Sequence, residues 1–292
     1  MTVKKRIISL VVAVFMVLAM IPMASQEAYA DDTFNMADGT ILLGNTVTKD
    51  LSSYTSSPIK WAALDEDFGY VNYDAHKVEI QANLEFWNFG RSGRLHVEFQ
   101  NGKVMESELI TVKLDIGQLE FFESVPDLTY TGKAVKHKKL KFTFGPEPAQ
   151  AVLGEDFTVT YKNNVKVGKA TVILKGKKYL VGSKTMTFNI LPKGTTAKAP
   201  KKGKKSFTAR WARQKAKMNK ARITGYQVQY STDKKFKTGV KNKYVKGYKK
   251  TSKKITGLKK KTIYYVRIRT YMKVSGKYYY STWSKVKSVK TK

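Results

Sequence analysis

The chain has no cysteine. That excludes a disulfide scaffold, a thiolate zinc site and a cysteine nucleophile. Histidine is scarce, with His76, His96 and His137 the only three, spread over at least two regions. No Gly-x-Ser-x-Gly elbow, phosphate-binding glycine loop or His-Glu-x-x-His stretch occurs. Acids nearly vanish from Lys193 to Lys292, where Asp233 stands alone against 33 Lys and Arg. A paired acid and base would have to come from the first third of the chain. Its densest acidic cluster, Asp65-Glu66-Asp67 followed by Asp74, opens like a calcium loop. Gly69 and His76 then stand where ligands are required. These acids read as solvated turn residues. No enzyme, cofactor or metal is expected.

The charge that is present lies at one end. The formal net charge is +33, of which residues 193–292 carry +32, residues 115–192 +5 and residues 31–114 −6. Mutual repulsion opposes compaction, so folding does not require such a block; it attracts polyanions, and salt weakens the attraction. A hydrophobic content of 42% excludes wholesale disorder, and 292 residues leave room for two or three domains.

Lys4-Lys5-Arg6 leads into the apolar run 7–21, Pro22 ends it, and Ala28-Tyr29-Ala30 precedes Asp31. That layout predicts a secretory signal peptide over residues 1–30. A retained anchor is the alternative, but the run is shorter than the roughly 20 residues a spanning helix needs. Cleavage leaves a mature chain without a transmembrane segment.

From residue 31 onward apolar residues fall at every second position between turns, the period of half-buried strands. Ile59–Leu64 reads as a strand with a buried Trp61, Val78–Ala82 and Leu95–Phe99 alternate, and Asn101-Gly102 marks a hairpin turn. Residues 31–114 loosely resemble a bacterial immunoglobulin-like domain. Residues 115–192 carry Tyr130-Thr131-Gly132-Lys133-Ala134 and Tyr161-Lys162-Asn163-Asn164. They resemble a small all-β repeat domain of secreted Gram-positive proteins, with Asn163-Asn164 suited to a turn at positive φ. Leu191-Pro192-Lys193-Gly194-Thr195 approaches a wall-sorting signal with its last two residues exchanged, and reads as a domain joint.

Residues 193–292 carry Trp211, Leu258 six residues before Tyr264, and Ser281-Thr282-Trp283-Ser284, and in these they resemble a fibronectin type III domain. The resemblance makes Trp211 the core tryptophan of the second strand. It pairs Leu258 with Tyr264 as the corner that pins the next-to-last strand, and places Trp283 in the last-strand Ser-x-Trp-Ser element. The expected architecture is all-β: three tandem immunoglobulin-like or fibronectin-type β-sandwich domains after a signal peptide. The family hosts many unrelated roles.

The alternation turns Tyr264, Val266 and Ile268 inward and Tyr265, Arg267, Arg269 and Tyr271 to an exposed strand face. Trp283 on the adjoining strand would lie against Arg267 or Arg269, a cation–π ladder. This face reads as self-stacked rather than as a ligand platform. Lys201, Lys202, Lys204, Lys205, Lys249, Lys250, Lys253, Lys254, Lys259, Lys260 and Lys261 are the candidate polyanion-binding residues, expected in loops and at strand ends. The expected function is non-enzymatic spacing, adhesion or binding by a secreted protein held at the cell surface through this basic end. Teichoic acid, another envelope polymer or a polysaccharide would be its partner, and host or neighbouring surface proteins are allowed. A carbohydrate-binding accessory role through Tyr278-Tyr279-Tyr280 beside Trp283 is the alternative. Generic attraction to nucleic acid is weaker still, with no specific nucleic acid as partner.

Overall fold

The structure is a computed structural model that describes residues 33–82, 90–144 and 149–292; the expected signal peptide lies outside them. The described residues form strands and turns without a helix. None therefore forms a helix long and apolar enough to cross a membrane. The chain is all-β, a tandem of β-sandwiches, and its buried side chains gather into three hydrophobic clusters.

The first cluster is built by β1 (Thr33–Phe34), β2 (Thr40–Leu42), β3 (Thr46–Asp50), β4 (Ile59–Leu64), β5 (Gly69–Tyr73), β6 (Lys77–Ala82), β7 (Ser92–Gly93), β8 (Leu95–Phe99), β9 (Val104–Ser107) and β10 (Ile110–Asp115). One sheet has the order β1-β9-β8-β4 and another β3-β6-β5. Leu95, Val97 and Phe99 on β8 are fully buried, as the two-residue period demands. The β8–β9 hairpin turns through Asn101-Gly102, with Gly102 at φ +82°. Trp61 departs from expectation, being 40% exposed. A register shift between Ile59 and Trp61 in the β4–β8 pairing sets the indole opposite Glu98 on the outer face, while Ala62 pairs with buried Val97. Its Nε1 donates to Glu98, which also takes the Lys60 ammonium at 2.6 Å.

Glu108 ties the start of this unit to its end. Its carboxylate accepts the backbone N–H groups of Met36 at 2.8 Å, Ala37 at 3.0 Å and Gly39 at 2.9 Å. Burial opposes ionisation of Glu108, but the N–H donors outweigh it and hold the carboxyl below its ordinary range.

The second cluster is built by β11 (Leu128–Thr129), β12 (Lys141–Phe144), β13 (Ala149–Val152), β14 (Phe157–Lys162), β15 (Gly168–Gly176), β16 (Leu180–Val181) and β17 (Ser183–Leu191). The sheet β11-β17-β15-β14 faces the hairpin β12-β13 across Phe142, Phe144, Phe157, Val172 and Ile190. Asn163, in the turn between β14 and β15, takes φ +59°, as its residue type suggests. β16 pairs in parallel with β10 through Leu114↔Leu180 and Asp115↔Val181, so the first and second units are joined by a ladder.

The third cluster is built by β18 (Ala197–Gly203), β19 (Ser206–Trp211), β20 (Gly225–Ser231), β21 (Lys241–Lys246), β22 (Ser252–Ile255), β23 (Ile263–Val274), β24 (Lys277–Tyr280) and β25 (Lys287–Lys290). A three-stranded sheet β18-β19-β22 packs on a five-stranded one, ordered β21-β20-β23-β24 with β25 beside β23. Trp211 is 1% exposed at the end of the second strand of this unit. Its Nε1 donates to the Lys250 carbonyl at 3.0 Å, and its ring lies 5.2 Å from that of Tyr226. Val167 of the second unit is buried in this core. The Asn219 side chain exchanges two 2.8 Å bonds with the backbone N–H and C=O of Val167. Thr270 donates to the Lys193 carbonyl at 2.8 Å, which fastens the stretch between β17 and β18 to β23.

Candidate functional site

The long strand β23 organises the basic unit. Leu258 and Tyr264 are buried, and the Tyr264 hydroxyl accepts the Lys259 N–H at 3.2 Å, pinning the chain where it enters the strand. Tyr264, Val266 and Ile268 turn inward as expected, while Tyr265, Arg267 and Arg269 turn outward and are half-buried. Tyr271 shares their face but is only 4% exposed, against the expectation of an exposed residue. Its cross-strand partner is Gly225, which has no side chain to hold the ring off the sheet. The rings of Tyr244, Tyr278 and Tyr280 surround it at 5.8, 5.8 and 6.0 Å. Burial pushes the Tyr271 phenol above its ordinary value.

The outward arginines form the ladder that the sequence suggests, and it is longer than expected. The Arg267 guanidinium lies 4.3 Å from the Phe236 ring centre and 4.6 Å from that of Trp283. Arg269 lies 4.3 Å from Trp283 and 4.1 Å from Tyr280. Each guanidinium is also fixed from its edge: Arg267 Nε donates to Gln229 Oε1 and Arg269 Nε to Gln227 Oε1, both at 2.7 Å. The two glutamine amides donate in turn to Asn242 Oδ1, at 2.9 and 3.0 Å. Burial pulls both guanidinium groups below the usual arginine value. Sequence reasoning missed Phe236, Gln227, Gln229 and Asn242, because their membership depends on strand register and on the path of a loop.

Trp283 does not sit on a strand; it precedes β25. Two serines hold its segment to β23 by replacing a neighbour's backbone acceptor with a hydroxyl. Ser284 N donates to the Ile268 carbonyl at 2.9 Å while its Oγ accepts the Ile268 N–H at 3.0 Å. Ser281 does the same with Thr270, at 3.0 and 3.1 Å. The spacing of the Ser-x-Trp-Ser element therefore fixes the indole between the arginines. With both guanidinium groups over Trp283 and with Tyr279 turned inward and buried, the run Tyr278-Tyr279-Tyr280 does not join Trp283 in one open platform.

The candidate lysines are all exposed. Lys204 and Lys205 occupy the β18–β19 turn, Lys249 and Lys250 the β21–β22 connection, and Lys259, Lys260 and Lys261 the approach to β23. Lys201, Lys202, Lys253 and Lys254 correct the expectation of loops and strand ends. They lie within β18 and β22, the two outer strands of the three-stranded sheet. Opposite charge does not balance them. Among the described residues the ion pairs are Lys60–Glu98, Arg91–Glu66, His96–Asp65 and His96–Glu106, all in the first unit. Asp233 spends its carboxylate on its own loop, accepting the N–H groups of Lys235, Lys237 and Thr238 at 2.8, 2.7 and 3.2 Å. Those bonds hold it below the ordinary carboxylate range.

The three histidines do not converge. His76 Nε2 lies 3.0 Å from the Ser56 carbonyl. His137 is buried, with Nε2 2.8 Å from the Pro126 carbonyl and Nδ1 3.2 Å from the Tyr161 hydroxyl. It is a satisfied core residue. A shallow cavity of about 400 Å³ opens where the second and third units meet, lined by Asp127, Asn189, Arg269, Tyr278, Tyr280 and Trp283 among others. Asp127 there accepts the Asn189 N–H at 2.7 Å.

The fibronectin type III domain model matches residues 191–287, the part that holds the ladder and the lysines. No curated protein matches the chain. Among solved structures, the chicken CNTN1 FN1-FN3 domains are similar at 11% identity and a TM-score of 0.30, covering 85% of this chain and 95% of that one. A beta-1,2-glucanase from Parabacteroides distasonis is similar at 14% identity and a TM-score of 0.26, over 42% of this chain. This chain spans only 18% of the glucanase. Fibronectin type III domains are modular units, generally non-catalytic and typical of extracellular proteins.

Proposed function

We propose that this is an exported, non-enzymatic modular protein held at an anionic cell envelope by its basic C-terminal unit, with wall teichoic acid as the expected partner. The observation that carries the reading is the uncompensated charge. Residues 193–292 hold 33 basic side chains, and the single acid among them is committed to backbone N–H groups. Exposed lysines without partners keep their full field for a polyanion, and the other units serve as spacers that carry little of that charge. Fractionating cells through washes of rising salt tests the proposal. The protein should stay with the envelope at low ionic strength and leave it as the screening length falls to about 3 Å near 1 M salt. Free protein in the medium at low salt, or retention through the highest wash, overturns it.

A further inference from the structure

The outer face of the five-stranded sheet interleaves aromatic with basic side chains. Cross-strand register sets Lys273 beside Tyr278, and Tyr271 between Tyr280 and Gly225, with Lys246 beyond the glycine. The next row runs Tyr244, Gln227, Arg269. Tyr244 is 53% exposed and Tyr278 48%, yet each is braced edge-on against buried Tyr271 at 5.8 Å. The Lys273 ammonium lies 5.6 Å from the Tyr278 ring. Asp127 of the second unit, the acid that lines the adjoining cavity, accepts bonds from Asn189.

Lysines alone hold any polyanion. Two exposed rings that are held in place, Tyr244 and Tyr278, the latter with the Lys273 ammonium near its ring, add a stacking contact for a polyanion that carries planar groups. A polyphosphate backbone has no planar face to lay on these rings, and a neutral pyranose, which could stack, would gain nothing from the lysines around them. We infer that this face binds single-stranded nucleic acid without sequence preference, the bases stacking on Tyr244 and Tyr278 and the phosphates meeting Lys246 and Lys273. Every base has a π-face, so the contact is tolerant of sequence, and a duplex hides the faces it needs. The inference rests on the polyanion reading of the basic unit and departs from the teichoic acid named there, whose polyphosphate backbone has no planar group to stack.

The test compares two ligands of equal charge on the full chain: an oligothymidylate of about 12 nucleotides and an abasic deoxyribose-phosphate strand of the same length. The wild type should bind the base-bearing strand about tenfold or more tighter. Y244A/Y278A should draw the two affinities together, and Y244F/Y278F, which keeps the rings, should preserve the preference. Equal affinities in the wild type overturn the inference and leave the polyanion reading standing, a result that needs no variant to fold. A preference that survives Y244A/Y278A overturns the site. Failure to bind either strand overturns both readings.

Discussion

The ring of Tyr271 rests over the bare α-carbon of Gly225 on the neighbouring strand. A β-carbon built at Gly225 would meet the Val245 carbonyl oxygen and come within 2.8 Å of the Tyr271 hydroxyl. The glycine is thus a receptacle for an aromatic side chain, and the tyrosine cluster is assembled on it. Gly225→Ala should cost about 1–3 kcal/mol, the usual penalty for overpacking a filled site. Urea denaturation would measure it. Combining it with Tyr271→Ala should recover only part of the loss, since the Val245 contact stays.

The ladder should contribute to stability through its central rung. Trp283→Ala removes the ring shared by Arg267 and Arg269 and should lower stability by about 2 kcal/mol, from two cation–π contacts and lost apolar burial. Arg267→Lys keeps the charge but loses the flat face and the Nε donor to Gln229, and should cost about 1 kcal/mol. Unchanged denaturation midpoints for both variants would show that the stack is decorative.

The two serines around Trp283 should not be equivalent. Ser281 is 3% exposed and its hydroxyl satisfies the N–H of fully buried Thr270. Ser284 is less buried and satisfies Ile268 N–H. Alanine at either position orphans a backbone donor, at about 1–3 kcal/mol when it is buried. Ser281→Ala should be the more damaging. Amide exchange at Thr270 and Ile268 would rank them, and the reverse order would refute the hydroxyl-for-carbonyl account.

Glu108 should make the first unit acid-sensitive. Its carboxyl is depressed in the folded state, so the stability it adds is present above its unfolded value, near pH 4.3, and is lost as pH falls through the folded value. Glu108→Gln should lower stability by about 2 kcal/mol at neutral pH and flatten the acid limb of a plot of melting temperature against pH. An acid limb as steep as the wild type's would assign the sensitivity to another group.

How much of this was legible follows from whether a feature depends on one strand or on two. Tyr264, Val266 and Ile268 pointing inward and Asn163 at positive φ are each decided by a local period or turn, while Trp211 in the core is what the fibronectin type III resemblance implies. Trp61 faces outward because β8 meets β4 with a shifted register, which nothing within Ile59–Leu64 encodes. Tyr271 is buried because a glycine 46 positions earlier happens to be its partner. That Arg267 or Arg269 meets Trp283 was readable from the alternation together with the Ser-x-Trp-Ser resemblance. The Gln227, Gln229 and Asn242 layer that steadies them was not, since register across long loops is a property of the folded pair of sheets.

Lys201, Lys202, Lys253 and Lys254 lie on the flanking strands of a small sheet. A strand with one side unpaired is a template for the same strand of another molecule, and lysine there makes such zippering costly. Copies brought to high local concentration would therefore lie beside one another without fusing into fibrils. Neutralising these ammonium groups, by acetylation for example, would remove that safeguard.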